Sequence, residues 1–132
     1  MLNSSGELFG IGVDIESIAR FSNLDIANNT SFLDKVFTQK ELAYCNSNPI
    51  PEQHLAVRFA GKEAIIKALA DFGEDRPGYH DIEITNDEKG APCVIIVKKG
   101  FDQLSIHLSL SHAQDMTLAF AVVTRLDNRN NI

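Results

Sequence analysis

Four side chains of this 132-residue chain have the type and setting to do chemistry. Asp14 closes the apolar, glycine-containing run LFGIGVDI, where a carboxylate can hold a hard cation such as Mg²⁺. It can equally cap the helix that ESIARF predicts, and taken by itself the cap is the simpler account. Lys62 and Glu63 stand side by side in RFAGKEAIIKALADFG, Arg58 to Gly73, where an ammonium and a carboxylate could serve a phosphate and its metal. The alternative is that both escape to solvent, with Lys67 and Asp71 forming an ordinary i,i+4 pair on the same helix. His112, just after the alternating SIHLSLS, could contact a phosphate or orient a nucleophile; alone it reads as a turn residue. His54, His80 and His107 have no comparable setting.

The helix that carries Lys62 and Glu63 poses the sharpest problem. At about 100° per residue, Leu55, Phe59, Ile65, Ile66 and Leu69 form one broad arc that includes Arg58 and Lys62, with Glu63 at its edge. The opposite side, Val57, Ala60, Gly61, Ala64 and Ala68, is a small-residue face suited to close packing. A helix apolar nearly all round is buried. Its charges must therefore be paired, reach an edge by snorkelling, or bind something, because an unpaired buried charge is strongly unfavourable.

The flanking elements follow from local signals. LFGIGVDI reads as a strand whose glycines allow a close backbone approach. GIG followed by VDI is not a dinucleotide fingerprint, which needs a third glycine opening a helix. ESIARFSNL and TSFLDKVF predict short helices, the second with Thr30 or Ser31 as cap. Thr38 to Glu41 has the pattern of a capping box opening TQKELAYC, and NSNPIP ends that helix. The long helix runs from about Glu52 to Phe72 and stops at Gly73, with EDRPGYH as a loop. Ile82 and Ile84 mark a strand, which DEKGAP turns into CVIIVKK. In SIHLSLS, Ile106, Leu108 and Leu110 face opposite to the serines, and HAQD connects to the apolar strand MTLAFAVVT. Helices followed by hairpin-linked strands predict an α+β fold: one domain over residues 1–132, helices packed on a largely antiparallel sheet, with an ordered core of about 8–125. Disorder is expected only at MLNSSGE and LDNRNNI.

Composition narrows the class. Net charge is −6, with no dense Lys/Arg run, which argues against non-specific nucleic-acid binding. No apolar run approaches the ~20 residues that span a bilayer, and no basic segment precedes an apolar core, so the expected location is cytoplasmic. Cys45 and Cys93 are isolated and read as reduced thiols, against a zinc site or a disulfide framework.

Together, GIGVDIESIARF, FLDKVFTQKELAYC, RFAGKEAIIKAL, GAPCV and HLSLSHAQD resemble, in that order, the holo-acyl-carrier-protein synthases, the short bacterial class of 4′-phosphopantetheinyl transferases. The likeness spans about residues 9–124. It implies Mg²⁺-dependent transfer of the phosphopantetheine arm of coenzyme A to a serine of apo acyl carrier protein, in support of fatty acid biosynthesis, with release of adenosine 3′,5′-bisphosphate. Carried onto this chain, Asp14 and Glu63 match the Mg²⁺ ligands and Lys62 the lysine that meets the phosphates. His112, with Ser111 beside it, matches a coenzyme A or active-site position. Either Glu63 or a water on the metal would take the serine proton. Arg20 matches a carrier-docking position, Lys35 lies in the next carrier-facing segment, and Arg58 would face the carrier or coenzyme A. Gly61 replaces a usual alanine, at roughly 1 kcal/mol of helix propensity, and Ala113 stands where a hydroxyl is common. The resemblance also implies a homotrimer with each active site at a subunit boundary, which suits a chain too short to cover coenzyme A alone.

Overall fold

A short strand with glycine at every second position sets the frame of the molecule. The computed structural model describes residues 8–22, 30–73 and 75–125. Both ends expected to be disordered, and the last residues of ESIARFSNL, lie outside them. Strand β1, Phe9–Ser17, turns Gly10, Gly12, Asp14 and Glu16 to one face and Ile11, Val13 and Ile15 to the other. The glycine face lies on helix α4, Pro51–Leu69. A Cβ at Gly10 would fall 1.9 Å from the Ala68 carbonyl oxygen, and one at Gly12 would fall 1.9 Å from that of Ala64. The small residues of α4 are therefore met by the small residues of β1, backbone against backbone.

Helix α1, Ile18–Ser22, follows β1, and α2, Thr30–Val36, precedes α3, Gln39–Asn46. The capping box at the start of α3 is formed in both directions: the Glu41 amide donates to the Thr38 hydroxyl, and the Thr38 amide donates to the Glu41 carboxylate. Helix α4 opens on Pro51, tightens into a 3₁₀ turn at Ala70–Phe72 and ends at Gly73, whose φ of 64° suits a residue without Cβ. Strands β2, Ile82–Asn86, and β3, Pro92–Ile96, form the expected antiparallel hairpin. Strands β4, Leu104–Ala113, and β5, Met116–Arg125, form a second hairpin, and β5 also pairs with β1.

The expected single antiparallel layer is thus two sheets, of order β1-β5-β4 and β2-β3. Helix α4 joins them, packing Ala60, Ala64, Ile65 and Ala68 against Ile82 and Ile84 of one and Ala119, Ala121 and Val123 of the other. Gly61 is explained by this junction, since a Cβ there would lie 2.8 Å from Ile84 Cδ1 and 3.2 Å from Leu108 Cδ2. A second core, with Phe21, Leu33, Phe37, Cys45, Leu55 and Phe59, lies under the short helices. The two cysteines are unpaired, Cys45 buried and Cys93 exposed. Among the described residues no helix is long and apolar enough to cross a membrane.

Two local expectations change. Asp14 lies inside β1 and α1 begins at Ile18, so Asp14 is not a helix cap. His112 belongs to β4, paired with Thr117, and the connection is shorter than HAQD, with Gln114 at φ 55°. The remaining side of the β1-β5-β4 sheet is open and, along β1 and β5, apolar: Ile11, Val13 and Ile15 lie beside Leu118 and Phe120, all more than 40% exposed, while β4 turns Ser109 and Ser111 to this side.

The backbone contact predicts a steep steric penalty. Gly12→Ala is expected to destabilise the fold by about 3 kcal/mol or more, whereas Gly90→Ala, in open space at φ 86°, should cost about 1 kcal/mol. Urea unfolding of the two variants measures the contrast, and equal losses would refute the close approach.

Candidate active site

Lys62 does not point where a phosphate could reach it. Its side chain is wholly buried, and Nζ donates to Glu41 Oε1 at 2.7 Å and to the carbonyl oxygens of Val36, Tyr79 and Ile82 at 2.8, 2.8 and 2.5 Å. Burial pushes the Lys62 pKa down, against the pull of Glu41. Glu41 is equally buried and also accepts from the Ile84 amide at 2.9 Å. The expectation that Lys62 meets phosphates is corrected by this cage, which uses its charge internally. Local sequence pattern carries no sign of Glu41 as partner, because the two residues are 21 positions apart on different helices.

Glu63 leaves α4 about 100° round from Lys62, and its Oε1 accepts a 2.5 Å hydrogen bond from the Tyr79 hydroxyl. That bond, with burial, raises the Tyr79 pKa. One turn on, Lys67 reaches back along the helix, as helical side chains do, and Nζ donates to Asp14 Oδ1 at 3.2 Å and to the Val13 carbonyl at 3.0 Å. Lys67 is therefore not spent on Asp71 alone, as the i,i+4 reading had it. Lys67 thus meets Asp14 of β1, and Glu63 precedes it by one turn on the same face of α4. Its spacing from Glu63 was the signal, since residues four apart share a helix face.

The other carboxylate oxygen of Asp14, Oδ2, is buried without a hydrogen-bond partner among the described residues. Glu16, two residues along the same strand face, stands close to Asp14, and burial together with that neighbour raises its pKa to about 7. An orphaned anionic oxygen with a second carboxylate beside it is a pair of hard-oxygen donors whose chemistry fits Mg²⁺, although no group of three or more metal-binding side chains forms among the described residues. Asp14 and Glu63 would hold the ion, and Glu16 adds a carboxylate that the sequence reading passed over. Beside Lys67 opens a cavity of about 330 Å³ lined by Ile66, Lys67, Ala70 and Arg76.

The remaining candidates gather on the opposite, β4 flank of α4. A second cavity of about 330 Å³ is lined by Tyr44, Gln53, Arg58, Asn86, Ser111 and His112. His112 Nε2 lies 2.8 Å from the Gln53 amide nitrogen. Arg58, 3% exposed, donates to the carbonyls of Ile84 and His54 and to Asn86 Oδ1, with its guanidinium 4.5 Å from the Tyr44 ring centroid. Burial and the charges of Arg58 and His112 lower the His54 pKa, marking this as an electropositive wall. Gln53 and Glu63 are ten residues apart, about 15 Å along the helix. A single chain thus holds Asp14 and Lys67 at the β1 edge of the sheet and Arg58, Ser111 and His112 around a separate cavity at its β4 edge.

Arg20, on α1, is exposed; it pairs with Glu16 at 3.2 Å and lies over the Phe59 ring at 5.1 Å. Lys35 is exposed on α2. Neither touches the groups on the β4 flank in any contact described above.

The family model of the 4′-phosphopantetheinyl transferase superfamily matches residues 10–122. A holo-[acyl-carrier-protein] synthase from Geotalea daltonii is 39% identical over 124 residues, covering 89% of this chain and 99% of its own. The chain belongs to the holo-acyl-carrier-protein synthases. Among solved members of this synthase family, that from Neisseria meningitidis is 32% identical with a TM-score of 0.74, covering 86% of this chain and 96% of its own. The Helicobacter pylori synthase, solved in complex with coenzyme A, is 32% identical with a TM-score of 0.72, covering 86% and 98%. A synthase of this kind is an enzyme, a phosphopantetheinyl transferase, and the α+β fold with its antiparallel sheets is that of its relatives.

The two lysines of α4 predict opposite phenotypes. Lys62→Met leaves Glu41 buried and uncompensated and should cost roughly 3–5 kcal/mol of stability. Lys67→Met, at a half-exposed position, should change stability by less than about 1 kcal/mol. Denaturant titration checks both, and a Lys62→Met protein of wild-type stability would refute the cage.

Proposed function

We propose that this synthase transfers the 4′-phosphopantetheine arm of coenzyme A to a serine of apo acyl carrier protein, with Mg²⁺, in support of fatty acid biosynthesis. The observation that carries the reading is the contact of β1 with α4, where Asp14, with one carboxylate oxygen orphaned, meets the Lys67 ammonium beside an open cavity, one helical turn after Glu63. The serine Oγ forms a bond to the β-phosphorus as the bond from that phosphorus to the bridging oxygen breaks, and adenosine 3′,5′-bisphosphate departs with the negative charge. Mg²⁺ held by Asp14 and Glu63 would supply positive charge to the pyrophosphate oxygens. Lys67, with Arg76 across the cavity, adds positive charge from this chain; Lys62 acts only through structure. Glu63 is this chain's candidate to receive the serine proton.

Arg58, Ser111 and His112 would bind a second part of coenzyme A, the position of a phosphate being favoured by the arginine and imidazole. Because they lie on the far flank of α4, we assign them to the site of a neighbouring protomer. The open apolar face of the β1-β5-β4 sheet supports this: a contiguous patch of Ile, Val, Leu and Phe on a small chain is the signature of a buried interface. We assign the assembly as a homotrimer with composite sites, the arrangement that the family resemblance implies. Exposed Arg20, with Lys35 behind it, offers the acidic carrier a complementary local charge on a chain of net charge −6. Two unpaired cysteines accord with a cytoplasmic location.

Incubation with coenzyme A, Mg²⁺ and apo carrier should add the mass of one phosphopantetheine to the carrier; no gain in mass would refute the transfer. Glu63→Gln should lower turnover on the order of 100-fold or more, with near-normal turnover at limiting Mg²⁺ counting against the ligand assignment. Arg20→Glu should raise the KM for the carrier and leave coenzyme A binding unchanged. Co-expressed Glu63→Gln and His112→Ala chains should regain activity that neither has alone, because mixed trimers contain boundaries with both groups intact. Failure to regain it would place both groups in one protomer's site.

A further inference from the structure

We propose that Tyr79 is a positioning residue for the Glu63 carboxylate, an inference that rests on reading Glu63 as a Mg²⁺ ligand. Tyr79 is gripped at both ends by consecutive residues of α4. Its carbonyl accepts from the buried Lys62 ammonium at 2.8 Å, and its hydroxyl donates to Glu63 Oε1 at 2.5 Å. The ring between these two anchors packs on Phe59, centroids 5.4 Å apart with planes 35° from parallel. The chain at Tyr79 is itself tied down: Tyr79–Asp81 is a 3₁₀ turn, closed by the Gly78 amide donating to Asp81 Oδ2 at 2.8 Å.

This arrangement has a chemical direction. A glutamate has three side-chain torsions, and a free carboxylate at a helix edge samples many orientations. The Tyr79 hydroxyl satisfies one oxygen with a short, charge-assisted bond and leaves Oε2 for another cation or donor. Groups that orient a ligand from behind set metal affinity without touching the metal. The Lys62 cage then has a use beyond stability, since it fixes the backbone from which the Tyr79 hydroxyl is delivered. Phe59 completes the support, and the Arg20 guanidinium lies over the same Phe59 ring at 5.1 Å, so Tyr79, Phe59 and the exposed cation form one connected wall.

Tyr79→Phe removes the hydroxyl while keeping the ring and the backbone carbonyl. Mg²⁺ titrated calorimetrically into the coenzyme A-saturated protein should bind about tenfold more weakly than to wild type, with the thermal midpoint little changed. The KM for Mg²⁺ should rise in proportion, and kcat at saturating Mg²⁺ should stay close to wild type. Glu63→Gln serves as the reference in the same titration. If Glu63→Gln is weakened while Tyr79→Phe binds within twofold of wild type, the positioning role is overturned and the ligand assignment stands. If Glu63→Gln binds Mg²⁺ normally, the ligand assignment fails and the proposal with it. A Tyr79→Phe protein with a lowered midpoint and unaltered Mg²⁺ affinity would make Tyr79 a structural residue only, which also overturns the proposal.

Discussion

The buried ammonium of Lys62 is the constraint on which the rest is arranged. Removing an ammonium and a carboxylate from water is tolerable only when their remaining hydrogen-bonding capacity is met. Here it is met from four places in the chain: the end of α2 through Val36, α3 through Glu41, the turn before β2 through Tyr79, and β2 itself through Ile82. Glu41 closes the circle by capping α3 and accepting from the Ile84 amide. None of these segments can shift without exposing a charge to an apolar interior. The cost of an incomplete cage, more than any gain from a complete one, is what makes the arrangement specific.

Lys62 and Glu63 show how one helix divides structure from chemistry between adjacent positions. The roughly 100° between successive side chains sends Lys62 into the junction of the two cores and Glu63 toward β1. The anchor and the working carboxylate are thus a single peptide bond apart, and disorder in one cannot be hidden from the other. On the far flank, Arg58 uses the same device, its guanidinium ligated by carbonyls and Asn86 while one edge faces the cavity with His112.

Much of the fold was legible because its signals are local. The capping box, the Gly73 stop, the DEKGAP turn and the alternation of SIHLSLS each depend on a few neighbouring residues, and each appears as read. The small-residue face of α4 and the glycines of LFGIGVDI were legible separately, and the structure shows that each is the reason for the other. What the sequence could not show was long-range pairing. Periodicity established that Lys62 needed a partner but not that Glu41 was available, so a ligand was supplied where a carboxylate sufficed. Lys67 likewise reaches across to β1, a contact that spacing along its own helix does not reveal. Family likeness named candidate residues without arranging them; the strand order β1-β5-β4 is what puts Asp14 and His112 on opposite edges of one sheet.

That register has a further consequence for assembly of the site. A slip of β1 by one residue would press isoleucine and valine onto backbone that accepts only hydrogen, and a slip by two would drive the Asp14 side chain toward the Ala64 or Ala68 carbonyls. Gly10 and Gly12 therefore behave as the teeth of a vernier, engaging α4 at one setting. Misfolded alignments of this strand are refused by contact before any attraction is weighed. The level at which Asp14 meets Lys67 is thus decided by two residues that have no side chains at all.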